Sequence, residues 1–127
     1  MTVEFLSQGW ADTLTEQLNA SDAFKEAAAG KQATIQQVIG DGERDTHYWI
    51  RIADAAIAMG LGDTESPDAT ITQSYETAVA LAKSELSPVT AFMTGKIKIA
   101  GNMGKLLGLQ GALAQLPPAM AKIDTEY

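Results

Sequence analysis

The densest group of chemistry-bearing residue types is Gly101-Asn-Met-Gly-Lys105. Glycines followed by a lysine suggest a phosphate cradle. A P-loop needs four residues between its glycines and a Ser or Thr after the lysine; here two residues intervene and Leu106 follows. A GXXG loop that clamps a nucleic-acid backbone fits the letters better. Against it stand a net charge of −7 and the lack of basic flanks outside the C-terminal third. His47 is the single histidine, two residues after Asp45. It is either a general base or, more simply, a surface or capping residue where a strand begins. The carboxylates fall in loops or on polar helix faces, and no pair is isolated on an apolar face as an acid/base dyad would need. Ser7, Ser21, Ser74 and Ser87 all stand where helices begin and are explained as caps. There is no cysteine and no nucleophile elbow. The sequence makes no positive case for an enzyme, a metal site or a cofactor.

One polar side chain is out of place. From Met103 the apolar residues recur at helical spacing through Leu106, Leu107 and Leu113. At about 100° per residue Gln110 falls between Met103 and Leu106, inside the apolar sector. A polar group aimed into apolar surroundings needs a partner. Just before this helix, Lys96-Ile97-Lys98-Ile99 alternates with the two-residue period of a half-buried strand. Gly101-Asn102 is the joint, with Asn102 as N-cap.

The elements that position these residues can be read along the chain. Residues 5–19 form a helix capped by Ser7, with Leu6, Trp10, Leu14 and Leu18 along one stripe. Ser21 caps a second short helix that Gly30 stops. Residues 31–39 form a strand, residues 40–45 a turn and residues 48–53 a second strand with Tyr48, Ile50 and Ile52 on one face. Asp54-Ala55 closes a hairpin to residues 56–61, and residues 69–72 form a fourth strand. Ser74 caps a helix with Tyr75, Ala78, Val79, Ala82 and Leu86 inward. Ser87-Pro88 starts another, stopped by Gly95, whose main apolar residues are Phe92 and Met93. Pro117-Pro118 ends the last long helix, and residues 119–123 are a short helical tail. Turn-linked strands imply an antiparallel meander. The expected fold is α+β: one mostly antiparallel sheet of about five strands with helices packed on one face.

The 127 residues suit one domain spanning 1–127. A hydrophobic content of 46% with only 6% aromatics makes the core aliphatic. No apolar run approaches the ~20 residues of a membrane span, and the N-terminus lacks the charge and apolar pattern of a signal peptide. A cytoplasmic protein is expected. No carboxylate occurs between Glu85 and Asp124, whereas Lys96, Lys98, Lys105 and Lys122 do. This cationic stretch is either a solvated strand face or a contact for an anionic surface, each Lys then being worth about 1 kcal/mol near an acidic membrane. Met59, Met93, Met103 and Met120 all fall in or beside core-facing segments. They either fill the core or line a surface that adapts to varied ligands.

Residues 92–113 carry a family resemblance. Phe92-Met-Thr-Gly-Lys96, Ile97-Lys-Ile99, Gly101-Asn-Met-Gly104 and Leu109-Gln110 resemble the closing segment of the sterol carrier protein type 2 family. Ala69-Thr-Ile-Thr72 resembles an upstream strand of that family, and the Trp10 and Phe24 helices resemble the start of its stand-alone bacterial members. Two positions depart from the pattern: Gly108 replaces a long side chain, and Ala112 precedes Leu113 where a leucine is usual. The resemblance implies an apolar tunnel between sheet and C-terminal helices that holds a fatty acid, fatty acyl-CoA, sterol or other lipid without altering it. On that reading Phe92, Met93, Met103, Leu106, Leu107 and Leu113 are walls, joined by Val79 and Leu86, with Met120 and Ile123 as a lid. Gln110 then meets a ligand head group or a water; the alternative is a hydrogen bond to a neighbouring strand carbonyl. Lys96, Lys98 and Lys105 would make transient membrane contact, the chain being a monomer or weak dimer without nucleic-acid partners. The alternative function is an accessory subunit that holds an apolar biosynthetic intermediate, such as a quinone precursor, for a partner enzyme. An empty tunnel of ~300 Å³ would cost roughly 7 kcal/mol at ~24 cal/mol per Å³, comparable to a whole domain's stability. A ligand-filled or collapsed tunnel is therefore expected.

Overall fold

A computed structural model describes residues 3–40, 45–83 and 85–126, without the side chains of Pro88, Val89, Gln110 and Pro117. Strand β1 (Val3–Glu4) leads into helix α1 (Gln8–Asn19). Ser7 Oγ accepts the Trp10 N–H at 3.2 Å, as its N-cap position predicts. Trp10, Leu14 and Leu18 turn one stripe of α1 into the core. Leu6 does not extend that stripe from within the helix; it precedes it, in the left-handed region at φ 64°. Ser21 caps α2 (Asp22–Ala28) in the same way, and Phe24 and Ala28 are fully buried.

Strands β2 (Ala33–Gly40), β3 (Asp45–Ala53), β4 (Ala56–Leu61), β5 (Ala69–Ser74) and β6 (Ile97–Gly101) form one sheet in the order β4-β3-β2-β5-β6. Residues 41–44 of the expected turn between β2 and β3 lie outside the described residues. The β3–β4 hairpin turns on Asp54 and Ala55, both at positive φ (53° and 60°). That conformation is the type I′ turn whose twist matches the flanking strands.

The meander expected from the sequence stops after β4. The chain then crosses back, and β5 pairs with β2 in parallel, Gln37 opposite Ile71. The other three pairings are antiparallel. Side chains pin the crossing segment. Gln36 Oε1 accepts the Thr64 N–H at 2.8 Å, and its Nε2 donates to Tyr48 O and Gly62 O. Asp68 Oδ2 accepts the Thr34 N–H at 2.8 Å where the crossing ends. These polar groups lie outside the two-residue period, and that period is all that marks a meander from sequence.

Helices α3 (Tyr75–Ala82) and α4 (Pro88–Met93) take their caps from Ser74 and Ser87. Leu86 lies beyond α3, whose C-cap is Lys83, so it does not extend the inner stripe as expected. After β6, Asn102 Oδ1 accepts the Lys105 N–H at 3.0 Å and opens α5 (Met103–Gly108). The single helix expected over 103–113 is broken at Leu109, with α6 (Gln110–Leu113) beyond it. Pro117-Pro118 does not end that helix but starts α7 (Leu116–Lys122). Proline is tolerated in a first turn because its missing N–H would lack an intrahelical partner there. A last strand, β7 (Thr125–Glu126), pairs in parallel with β1, Val3 opposite Thr125; neither strand was expected.

The core lies between the inner face of the sheet and the helices. Ile35, Ile39, Ile50 and Ile52 are fully buried from the sheet, and Trp10, Leu14, Leu18, Phe24 and Leu109 from the helical side. Edge-on ring contacts link Phe5 to Trp10 (5.1 Å) and Trp10 to Tyr48 (5.6 Å).

Candidate functional site

Strand alternation places Gln37 on the same face as Ile35 and Ile39, and Gln73 on the same face as Ala69 and Ile71. Both glutamines therefore stand on the core face of the sheet. Register puts Tyr48, Gln37, Ile71 and Ile99 in one row across β3, β2, β5 and β6. The next row holds Ile39, Gln73 and Ile97.

Above these rows lies a partly open cavity of about 130 Å³. Gln37, Tyr48, Ile71, Gln73 and Ile97 form its floor. Ala78 and Leu81 of α3 and Leu113 of α6 wall it, with Leu116 and Met120 of α7 and Phe5 ahead of α1. The lining is mostly hydrocarbon, and the glutamines supply its amide groups. Gln73 Nε2 donates to Gln37 Oε1 at 3.2 Å. Gln73 Oε1 is buried with no partner among the described residues. Burial pushes the Tyr48 phenol well above its ordinary value, so the group stays neutral at physiological pH. Among the described residues no Lys, Arg or His lines the cavity.

The residues expected to form walls are placed unequally. Leu113 and Met120 border the cavity. Leu106 is buried in the core, Val79 packs against it half-buried, and Ile123 is buried beside it. Phe92, Met93, Met103 and Leu107 are exposed, Met93 by 79% and Leu107 by 66%. The side chain of Gln110 lies outside the described residues. The reason for the shift is spacing. The buried face of the C-terminal segment runs Leu106, Leu109, Ala112 and Leu116. A straight helix centred on Met103 and Leu107 would have buried a different sector. In α4 the buried residue is Ala91, with Phe92 and Met93 turned outward.

Sequence reasoning missed Gln37, Gln73, Tyr48, Ile71 and Ile97. A signal was available: counting by two from Ile35 and Ile71 places both glutamines inward. Gln36-Gln37 obscures the signal by interrupting the polar–apolar alternation.

Elsewhere, His47 Nδ1 is hydrogen-bonded to Asp63 Oδ1 on the surface, outside the cavity lining. Lys105 Nζ lies 3.1 Å from Asp68 Oδ1, whereas Lys96 and Lys98 are exposed around the start of β6. No helix among the described residues is long and apolar enough to cross a membrane.

The cavity floor, its α3 wall and Leu113 lie within residues 9–114, which match the SCP-2 sterol transfer family, whereas Phe5, Leu116 and Met120 lie outside that range. The chain belongs to this family. SCP-2 membership supports lipid binding or transfer as the general class of function. Sterol carrier protein 2 of Gallus gallus is 32% identical over 84 residues, which are 66% of this chain and 15% of that protein. The chain thus matches about 15% of the length of such curated relatives. A crystal structure of sterol carrier protein 2 superposes with a TM-score of 0.81 at 19% identity, covering 94% of this chain and 99% of that one. The solution structure of sterol carrier protein domain 2 of Helicoverpa armigera gives 0.65 at 26% identity, covering 93% and 90%. These likenesses include the five-stranded α+β fold.

Proposed function

We propose that this chain binds a lipid in the cavity between the sheet and α3, α6 and α7, and carries it without chemical change. The observation that carries the reading is the lining. Hydrocarbon side chains from both layers surround a partly open space in which Tyr48, the one titratable side chain of the lining among the described residues, is held neutral. Such a space gains free energy from apolar contact and offers no charged acid/base pair to a substrate.

The cavity of about 130 Å³ is smaller than the ~300 Å³ or more of sites that enclose a drug-sized ligand. A long-chain lipid enlarges it. Leu113, Leu116 and Met120 belong to short helices joined by non-helical residues 114–115, and methionine adapts its shape readily. These walls yield, while the sheet holds the floor.

Delivery to and from membranes is part of the same proposal. Phe92 and Met93 are exposed within six residues of exposed Lys96 and Lys98. Apolar side chains beside lysines suit an anionic lipid surface. Lys105 contributes less, being engaged with Asp68.

Lipid extraction and native mass spectrometry of the purified protein test the reading. Co-purified lipid, or a mass shift on adding lipid, is expected. A protein that stays ligand-free in the presence of excess long-chain lipids contradicts it.

A further inference from the structure

The two glutamines on the cavity floor have a hydrogen-bonding remainder. Joined by one N–H···O bond, two amide side chains leave one carbonyl oxygen without a donor, one whole NH₂ group, and the second N–H of the donating amide. This holds whichever way the pair is turned, because the opposite orientation of both amides gives the same remainder. In this structure the unspent acceptor is Gln73 Oε1, buried and without a partner among the described residues, and Gln37 Nε2 is the amide nitrogen that takes no part in the bond between the two side chains. Buried polar groups are nearly always satisfied, so an orphaned acceptor beside a cavity marks a place where something else donates. Gln37 is itself only 6% exposed, and the pair is fixed by the parallel register of β2 and β5.

Resting on the lipid-carrier reading above, we propose that Gln37 and Gln73 form the head-group site, selective for an apolar molecule ending in a neutral hydroxyl. A hydroxyl donates one hydrogen bond and accepts others. It can donate to Gln73 Oε1 and accept from Gln37 Nε2 at once. An ionised carboxylate only accepts. It would meet Gln73 Oε1 with like polarity and would be buried in a lining that holds no Lys, Arg or His among the described residues. The occupant class is therefore the long-chain or cyclic alcohol rather than the fatty acid anion. The selectivity sits on the rigid sheet while the helices adapt to the tail.

Three ligands built on a ten-carbon chain test this by titration calorimetry at pH 8: decan-1-ol, its methyl ether and decanoate. The ether keeps the oxygen acceptor and loses only the donated hydrogen. The alcohol is expected to bind the wild-type protein about tenfold more tightly than the ether, and more tightly still than decanoate. In Gln73→Met the gap between alcohol and ether closes. Equal binding of alcohol and ether by the wild-type protein overturns the head-group assignment, as does decanoate binding as tightly as the alcohol. This wild-type comparison stands even if the variant fails to fold. If none of the three ligands binds, the carrier reading itself fails, and the assignment with it.

Discussion

Gln73 reaches Gln37 diagonally across β2 and β5: the register sets Ile71, not Gln73, directly opposite Gln37, yet the two amides meet at 3.2 Å. The pair places an acceptor with no partner among the described residues in a mostly apolar space. Removing Gln37 alone takes away the partner that Gln73 has among the described residues. Gln37→Met is expected to cost about 1–2 kcal/mol of stability. Adding Gln73→Met should restore that loss or exceed it, since replacing both partners by apolar groups of similar shape is near neutral or stabilising. Urea unfolding of the four proteins of this double-mutant cycle measures the coupling. Additive losses would show that the amides do not interact.

Gly101 closes β6 at φ 112°, and a Cβ there would stand 2.6 Å from Asp68 O and 2.8 Å from Ala69 Cα. Both obstacles are backbone and cannot move aside cheaply. Gly101→Ala is expected to cost more than ~2 kcal/mol through strain and clash. Gly108 has nothing within 4 Å of the same position and sits in α5. Gly108→Ala should therefore stabilise the protein, by up to ~1 kcal/mol. Thermal unfolding of the two variants checks the contrast.

The Thr34 N–H and, next, the Lys105 ammonium hold the Asp68 carboxyl below its ordinary range. Its folded value is thus lower than its unfolded one. Asp68 contributes stability above the unfolded carboxylate range of ~3.9, and that contribution is lost as pH falls through the folded value. Asp68→Asn should flatten the acid side of the stability profile and leave its shape above pH 6 unchanged. Denaturant unfolding from pH 3 to 7 measures it; an unchanged acid slope would remove Asp68 from the account.

The exposed and cavity-facing apolar residues should separate by assay. Leu113→Ala and Met120→Ala, at the cavity wall, should weaken lipid binding in solution. Phe92→Ser with Met93→Ser should leave solution binding intact and reduce sedimentation with anionic vesicles, as should Lys96→Gln with Lys98→Gln. Vesicle association should also fall with salt. If the outer variants bind vesicles normally, that surface plays no part in delivery.

Local signals were strong where one residue does one job. Ser7, Ser21, Ser74, Ser87 and Asn102 were identifiable as caps because capping depends on a side chain and the two or three residues after it. The five sheet strands were legible from β-branched and aromatic runs. The parallel β2–β5 pairing was not, because it rests on Gln36 and Asp68 holding a crossing segment far away in sequence. The C-terminal walls were half legible. Helical spacing picked out Leu106, which is buried in the core, and Leu113, which borders the cavity, but the buried face of the segment leaves Met103 and Leu107 exposed. The polar floor was within reach: Gln37 and Gln73 needed only the strand period carried through a polar residue.

Ala78, buried at the cavity wall on α3, permits the most direct test of lipid binding in this space. Ala78→Leu adds side-chain volume to the cavity without touching its polar floor. Saturating lipid at ~100 times its Kd should stabilise the wild-type protein by ~2.7 kcal/mol, a rise in Tm on the order of 10 °C. The account predicts that Ala78→Leu, folded and at least as stable when ligand-free, loses most of that rise. A lipid that raises the Tm of Ala78→Leu as much as that of the wild-type protein binds elsewhere, and would contradict it.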